Sequence, residues 1–281
     1  MNIDRHLDEL PMSSTPADLP QLPTARALWA QVRADHGLSA DGSVPLLSAP
    51  DSNAKITKNE VPTYSLSLAP AVTSGHNVCN RSTPQCREAC VMWTAGRGQM
   101  ASVRNARRAK THFLARYAYS FLALLEDELC KIERRWLNHA DGDEVGWAVR
   151  LNVASDIRWE RFPWLFDHQG MVAYDYTKWG CHERPNLPDN YRLTYSHNER
   201  WSDRDVANHI DDGDNVAMVF DCPKHQLPAV WEGPNATYDV IDGDLSDYRY
   251  GDPKGVIVGL AAKGAATKLE TGGFVTAVTI N

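Results

Sequence analysis

Three cysteines lie close together in Val78-Cys79-Asn-Arg-Ser-Thr-Pro-Gln-Cys86-Arg-Glu-Ala-Cys90. Thiolates are soft ligands, and three in one short segment suit either zinc completed by a fourth ligand or an iron–sulfur cluster with one iron left open. Thr83-Pro84 is a helix start, with Thr as N-cap and Pro at the first helical position. The spacing then predicts Cys86 and Cys90 four apart on one helical face, with Cys79 folding back from the loop before it. Helix N-terminal amides and the helix dipole favour thiolates at such a place. Structural zinc sites show tighter C-x(2–4)-C pairs and a second matched pair, whereas the gaps here are six and three residues. That spacing ranks a [4Fe-4S] cluster above zinc. Cys181, Cys222, His76 and His182 are candidate fourth ligands, and Cys130, within a long helical stretch, is expected to be inert.

Other residues could serve such a centre. Arg97, Arg104, Arg107, Arg108 and Lys110 concentrate positive charge just after the cysteines, enough to hold a phosphate, a nucleotide or a nucleic-acid backbone, or to form a solvated helix face. Asp242-Gly-Asp244-Leu-Ser-Asp247-Tyr-Arg249 offers three carboxylates and a guanidinium. These could take a divalent cation, a ribose or an amino group, though not with EF-hand spacing; a turn with Arg249 in a salt bridge is the plainer alternative. Asp175, Tyr176 and Lys178 form a titratable trio suited to acid–base work. Ser196-His197-Asn198 places Ser and His side by side, which alone makes no triad. The chain has no G-x-S-x-G, Walker-A or G-x-G-x-x-G stretch, which disfavours nucleotide hydrolysis and classical hydride transfer.

The elements that must position these residues are short apolar runs. Tyr64–Leu68, Trp147–Val153, Met171–Tyr174, Arg192–Tyr195, Asn215–Phe220, Thr237–Ile241 and Gly255–Gly259 read as strands buried on both faces, as in a parallel sheet. Between the first two, Ala101–His139 is a helical stretch whose Phe121, Leu125, Leu129, Ile132 and Trp136 recur at steps of three and four. Strand, crossover helix and strand make the α/β unit. About seven mainly parallel strands predict a complete or partial (β/α) TIM-like barrel over residues 61–281, with residues 1–60 as an N-terminal arm packed on it and one helix near Ala25–His36. Polar residues follow most strands. In such barrels the active site is built just beyond the strands' C-terminal ends. The mouth is therefore expected to gather Asp156, Asp175, Lys178, His197 and Asp242 as catalytic groups, and Arg97, Arg104, Asp244, Arg249 and Lys263 as cofactor-binding ones.

The 281 residues are 43% hydrophobic and 23% charged, with a formal net charge of −7. That composition is ordinary for a globular chain, and its acidity disfavours wrapping nucleic acid outside the Arg97–Lys110 patch. No apolar run approaches the roughly 20 residues of a membrane span. The first residues lack a secretory signal, so a reducing cytoplasm is expected, where clustered cysteines bind metal or do chemistry.

Two resemblances follow. A three-cysteine loop after the first strand of a (β/α) barrel resembles, in architecture only, the radical S-adenosylmethionine enzymes, which implies a [4Fe-4S] cluster and S-adenosylmethionine. The chain departs from that family's C-x3-C-x2-C spacing and lacks its Gly-Gly-Glu stretch. More closely, the chain resembles the gene-product-88 family of actinobacteriophage proteins. The matching stretches are Ser52–Lys55, the cysteine loop, Ala95–Arg97 with Val103, Arg104 and Arg107, Tyr174–Lys178, and Asp242–Arg249 through Asp252–Leu260. This resemblance covers about residues 45–270 and implies a phage origin and a host cytoplasm. It supplies no activity.

Overall fold

The computed structural model describes residues 1–10, 16–52, 59, 61–138 and 146–278. Asn53–Lys55 and His139 lie outside the described residues.

The protein is built on a mostly parallel sheet of nine strands among the described residues. The strands are β1 (Thr63–Ser65), β2 (Trp147–Arg150), β3 (Met171–Thr177), β4 (Tyr191–Ser196), β5 (Asn215–Phe220), β6 (Val230–Glu232), β7 (Thr237–Asp242), β8 (Ile257–Ala261) and β9 (Val275–Thr276). All seven expected runs form strands, and β6 and β9 are additional. The order is β1-β2-β3-β4-β5-β8-β7-β6, and only the β6–β7 pair is antiparallel. The ladder is open, with β1 and β6 at its two ends. β4 pairs only with the first half of β5, and β8 pairs with Val216–Phe220 along the other edge. The freed end of β5, at Val219 and Phe220, is completed by β9.

Strand alternation sends two sets of side chains to opposite faces. Trp147, Val149, Met171, Ala173 and Tyr191 join the main core, which also takes residues from helices α1 (Ile3–Asp8), α2 (Leu22–Asp35), α5 (Ala101–Arg116) and α6 (Ala118–Leu137). Trp29, Phe113 and Phe121 are fully buried there, each worth about 1.5–3 kcal/mol of burial. Thus the N-terminal helices share one core with the sheet. On the opposite face Ala148, Val172 and Tyr174 meet Tyr248 and Tyr250 from the β7–β8 connection.

The single long helix expected over 101–139 is instead two, α5 and α6, broken at Tyr117 (φ −136°, ψ 54°). No proline or glycine marks that break in the sequence. The remaining helices are α3 (Pro84–Glu88), α4 (Val91–Thr94) and α7 (Asp203–Asp211). No helix of the described residues is long and apolar enough to cross a membrane.

Candidate metal centre

The cysteine segment lies at the C-terminal edge of the parallel strands. The Asp156 amide, past the end of β2, donates to the Val78 carbonyl at 2.8 Å, fastening the loop beside the sheet. Cys79 is fixed from both sides: its sulfur accepts from the Ala71 amide at 3.3 Å and lies 3.6 Å from the Ala154 carbonyl. Ala71 holds φ +47° to aim that amide, a conformation uncommon for a residue other than glycine.

Cys86 sits on α3, which starts as the sequence predicts. Thr83 is the N-cap, accepting the Cys86 amide at 3.3 Å, and Pro84 follows at the first helical position. The expectation that Cys86 and Cys90 share a helical face is corrected. α3 ends at Glu88, and Cys90 (φ −56°, ψ 99°) is the N-cap residue of a second short helix, α4. The chain turns between the two cysteines, so each thiol approaches from its own helix.

The three thiols act on one another electrostatically. Burial pushes the Cys79 thiol well up, and the charges of Asp156, Cys86 and Cys90 add to the rise. Burial and Cys86 likewise raise Cys90, opposed by the Met92 and Trp93 amides and by Arg107. Among the described residues the three sulfurs do not all lie within 4.8 Å of one another.

Asp156 joins this group. Its oxygens accept from the Thr177 hydroxyl and the Lys178 amide, both at 2.8 Å, and Arg184 stands 4.0 Å away. Burial raises its pKa against these partners. Lys178 lies between Asp156 and His197, its charge acting on both, and its ammonium is 5.8 Å from the Phe274 ring. His197 is buried, its Nδ1 has no hydrogen-bond partner, and desolvation pulls its pKa down to about 4. Asp156, Lys178 and His197 thus stand at the exits of β2, β3 and β4, with the Lys178 charge acting on each of the other two.

Asp175 is placed differently. It lies inside β3, which extends to Thr177, rather than beyond the strand's end. It accepts from the Asn152 amide at 2.7 Å and the Tyr191 hydroxyl at 2.8 Å. Burial lifts its carboxyl to about 7, against the pull of Arg150 and those donors. Asp242, Asp244 and Lys263 form another group, at the exits of β7 and β8. Asp244 pairs with Lys263 and accepts the Ala261 amide, while Asp242 accepts the Asp244 amide. Cys222 lies near these carboxylates. Arg249 donates to the Ser246 carbonyl and faces Asp252 at 3.1 Å, and its charge reaches Tyr176. His76, a candidate ligand, instead packs edge-on against His112.

Most of the basic patch is engaged with backbone. Arg104 donates to the Trp93 and Gly98 carbonyls at 2.8 Å and stacks over the Trp93 ring. Arg107 binds the Met92 carbonyl, Arg108 the Thr73 carbonyl and Lys110 the Leu46 carbonyl. Arg104 and Arg107 thereby satisfy carbonyls that the short helix α4 and the turn after it leave open, while Arg108 and Lys110 hold loop carbonyls. Arg97 is exposed. Gly98 allows the tight return of this turn: a Cβ there would lie 2.3 Å from the Met92 carbonyl oxygen.

Against α4, the helix that Cys90 caps, is a cavity of about 400 Å³, lined by Ser48, Ser65, Ser67, Val91, Met92, Arg97, Arg107, Lys110 and Val153, among others. The serines had no signal in the sequence. Nor did Glu199, past the end of β4, which accepts the Thr83 hydroxyl at 2.6 Å and the Gln85 amide at 3.0 Å.

The Gene product 88 family model matches residues 45–276, which include the cysteine segment, the cavity and every strand. The chain belongs to the Gene product 88 family. No curated protein and no solved structure matches the chain, so the family assignment comes without a described activity. Within the family match, Cys79, Cys86 and Cys90 are the cysteines that neighbour one another at the sheet's C-terminal edge.

Proposed function

We propose that the protein is an iron–sulfur enzyme in which Cys79, Cys86 and Cys90 hold a [4Fe-4S] cluster whose fourth iron faces the cavity against α4. The supporting observation is that Cys79, Cys86 and Cys90 neighbour one another at the strand ends, close to a cavity lined by Val91, Met92, Arg97, Arg107 and Lys110. A tetrahedral zinc would draw its thiolates to about 3.8 Å from one another, given Zn–S bonds of about 2.3 Å. A [4Fe-4S] cluster binds each thiolate through a separate iron and so takes its ligands farther apart.

Such a cluster supplies an open iron for radical or Lewis-acid chemistry. The chain's own residues do the remaining work. Arg97, Arg107 and Lys110, with Ser48, Ser65 and Ser67, bind the anionic end of a small molecule, either S-adenosylmethionine or a nucleotide-like substrate. Asp156, Lys178 and His197 handle protons on the other side of the thiols; a neutral, unpartnered His197 is suited to accept one.

We read the open sheet as an incomplete (β/α) barrel. The β7–β8 connection crosses the face of β2–β4, where Asp247 binds Arg150, Tyr248 meets Tyr174 edge-on, and the Tyr250 carbonyl accepts from Arg192. The family's phage affiliation and the need for reduced thiols favour the host cytoplasm as its place of action.

Anaerobic purification followed by iron and sulfide assay tests the reading. Near four irons and four sulfides per chain, lost in Cys79→Ser, Cys86→Ser or Cys90→Ser, is the expected result. A colourless protein carrying stoichiometric zinc at these cysteines would overturn it and favour a structural metal in a protein that binds nucleic acid or a host partner.

A further inference from the structure

Glu126 and Cys130 stand one turn apart on α6 and meet His168, just before β3, at the sheet edge opposite Cys79. One ligand atom from each lies within 4.8 Å of the other two. His168 is only 8% exposed. Its Nε2 is 3.4 Å from Glu126 Oε2, off the line a hydrogen bond needs, and both atoms are buried without a hydrogen-bond partner. Cys130 Sγ is 3.5 Å from Glu126 Oε1. On the ring's other side Nδ1 meets Glu133 Oε2 at 3.3 Å, and Glu133 Oε1 accepts the Gln169 amide at 2.6 Å. Both ring nitrogens face carboxylates, which only accept, so a metal ion at Nε2 would displace the proton directed at Glu126 while Nδ1 keeps its proton on Glu133.

We propose that Glu126, Cys130 and His168 form a second metal site, for a zinc ion, with Glu133 orienting the imidazole. Zinc bonds of about 2.0–2.3 Å to nitrogen, oxygen and sulfur set tetrahedral ligands about 3.3–3.6 Å apart; Nε2 lies 3.4 Å from Glu126 Oε2, and Cys130 Sγ, 3.5 Å from the carboxylate's other oxygen, lies within 4.8 Å of a ligand atom of each partner. A cation between Nε2 and Glu126 would satisfy both orphaned atoms at once. The mixed sulfur, nitrogen and oxygen set selects zinc over magnesium or calcium. A carboxylate on the far nitrogen is the usual support of a metal-binding histidine. Water completes the shell. Bound there, the ion clamps the C-terminal half of α6 to the connection entering β3, independently of any cluster on Cys79, Cys86 and Cys90.

Zinc alone is added to the metal-free full-length chain, and bound zinc is counted against a chromophoric chelator. The wild type is expected to bind one more equivalent than Cys130→Ser or His168→Gln. Glu133→Gln should keep the site with roughly 10–100-fold weaker affinity. Cobalt gives a second readout if His168→Gln does not fold: the wild type should show a thiolate-to-cobalt charge-transfer contribution that Cys130→Ser lacks. Equal zinc uptake, or identical cobalt spectra, in wild type and Cys130→Ser overturns the proposal.

Discussion

Glu199 caps the helix that carries Cys86: its carboxylate takes the Thr83 hydroxyl at 2.6 Å and the Gln85 amide at 3.0 Å from across the sheet edge. Burial opposes its charge, yet these two donors hold its pKa below the ordinary carboxylate range. The exit of β4 thereby holds the first turn of α3, on which Cys86 sits.

Removing that tie should loosen the centre. Glu199→Ala is expected to cost about 1–3 kcal/mol, the range for charge-assisted hydrogen bonds, and to lower iron per chain after anaerobic purification. Denaturant unfolding and metal analysis read the two effects. Unchanged values in both would show that the cap does not position Cys86.

The Gly-Arg-Gly turn makes a graded prediction. Gly98→Ala forces its Cβ against the Met92 carbonyl and should cost about 1–3 kcal/mol, as overpacking does. Gly96 has φ +49° but open space around a Cβ, so Gly96→Ala should cost only about 1 kcal/mol. The reverse order of unfolding midpoints would mean that backbone strain, not the close approach, limits this turn.

His197 sets one pH dependence. Its folded pKa of about 4 lies below the unfolded value of about 6.5, so the unfolded chain binds the proton more readily between them. The stabilising contribution is complete above about pH 6.5 and is lost as pH falls through about 4. Asp203, Lys178 and Glu199 supply the charges that act on the ring. His197→Asn should flatten this acid limb of the stability profile; an unaltered limb would mean that the imidazole titrates normally.

Asp175 carries the opposite sign. Its folded pKa of about 7 is above the unfolded value of about 3.9, so the folded state holds the proton longer. Its contribution is complete below about pH 4 and is lost as pH rises through about 7. Asp175→Asn should remove that slope when unfolding is followed from pH 5 to 8. A slope that persists would place the ionised carboxylate, held by Arg150, in the native state throughout.

The strands were legible because their apolar runs are continuous, as β2 and β5 illustrate. β6 was not, since its three residues alternate exposed and buried, and β9 has only two. Asp175 read as a loop residue because acidic groups seldom occupy strand interiors; only the donors from Asn152 and Tyr191 make it tolerable there. Thr83-Pro84 announced α3 correctly, but nothing local announces the turn that separates Cys86 from Cys90. Glu199 and Gln85 are 114 positions apart, beyond any spacing argument. The nearness of Cys130 to His168 is hidden for the same reason: its spacing to Glu126 is visible in the sequence, but His168 reaches it only through the fold.

The tie between Val78 and Asp156 also bears on the order of assembly. The Cys79 sulfur and its Ala154 neighbour are separated by 75 positions, with α5 and α6 formed in between. Contacts this distant in sequence form late, after the loop between them has ordered. The seat of Cys79 against the sheet is therefore a late feature of the fold, although Cys86 and Cys90 are its near neighbours in sequence. The chain must first build β1, both helices and β2 before the Val78–Asp156 and Cys79–Ala154 ties can close.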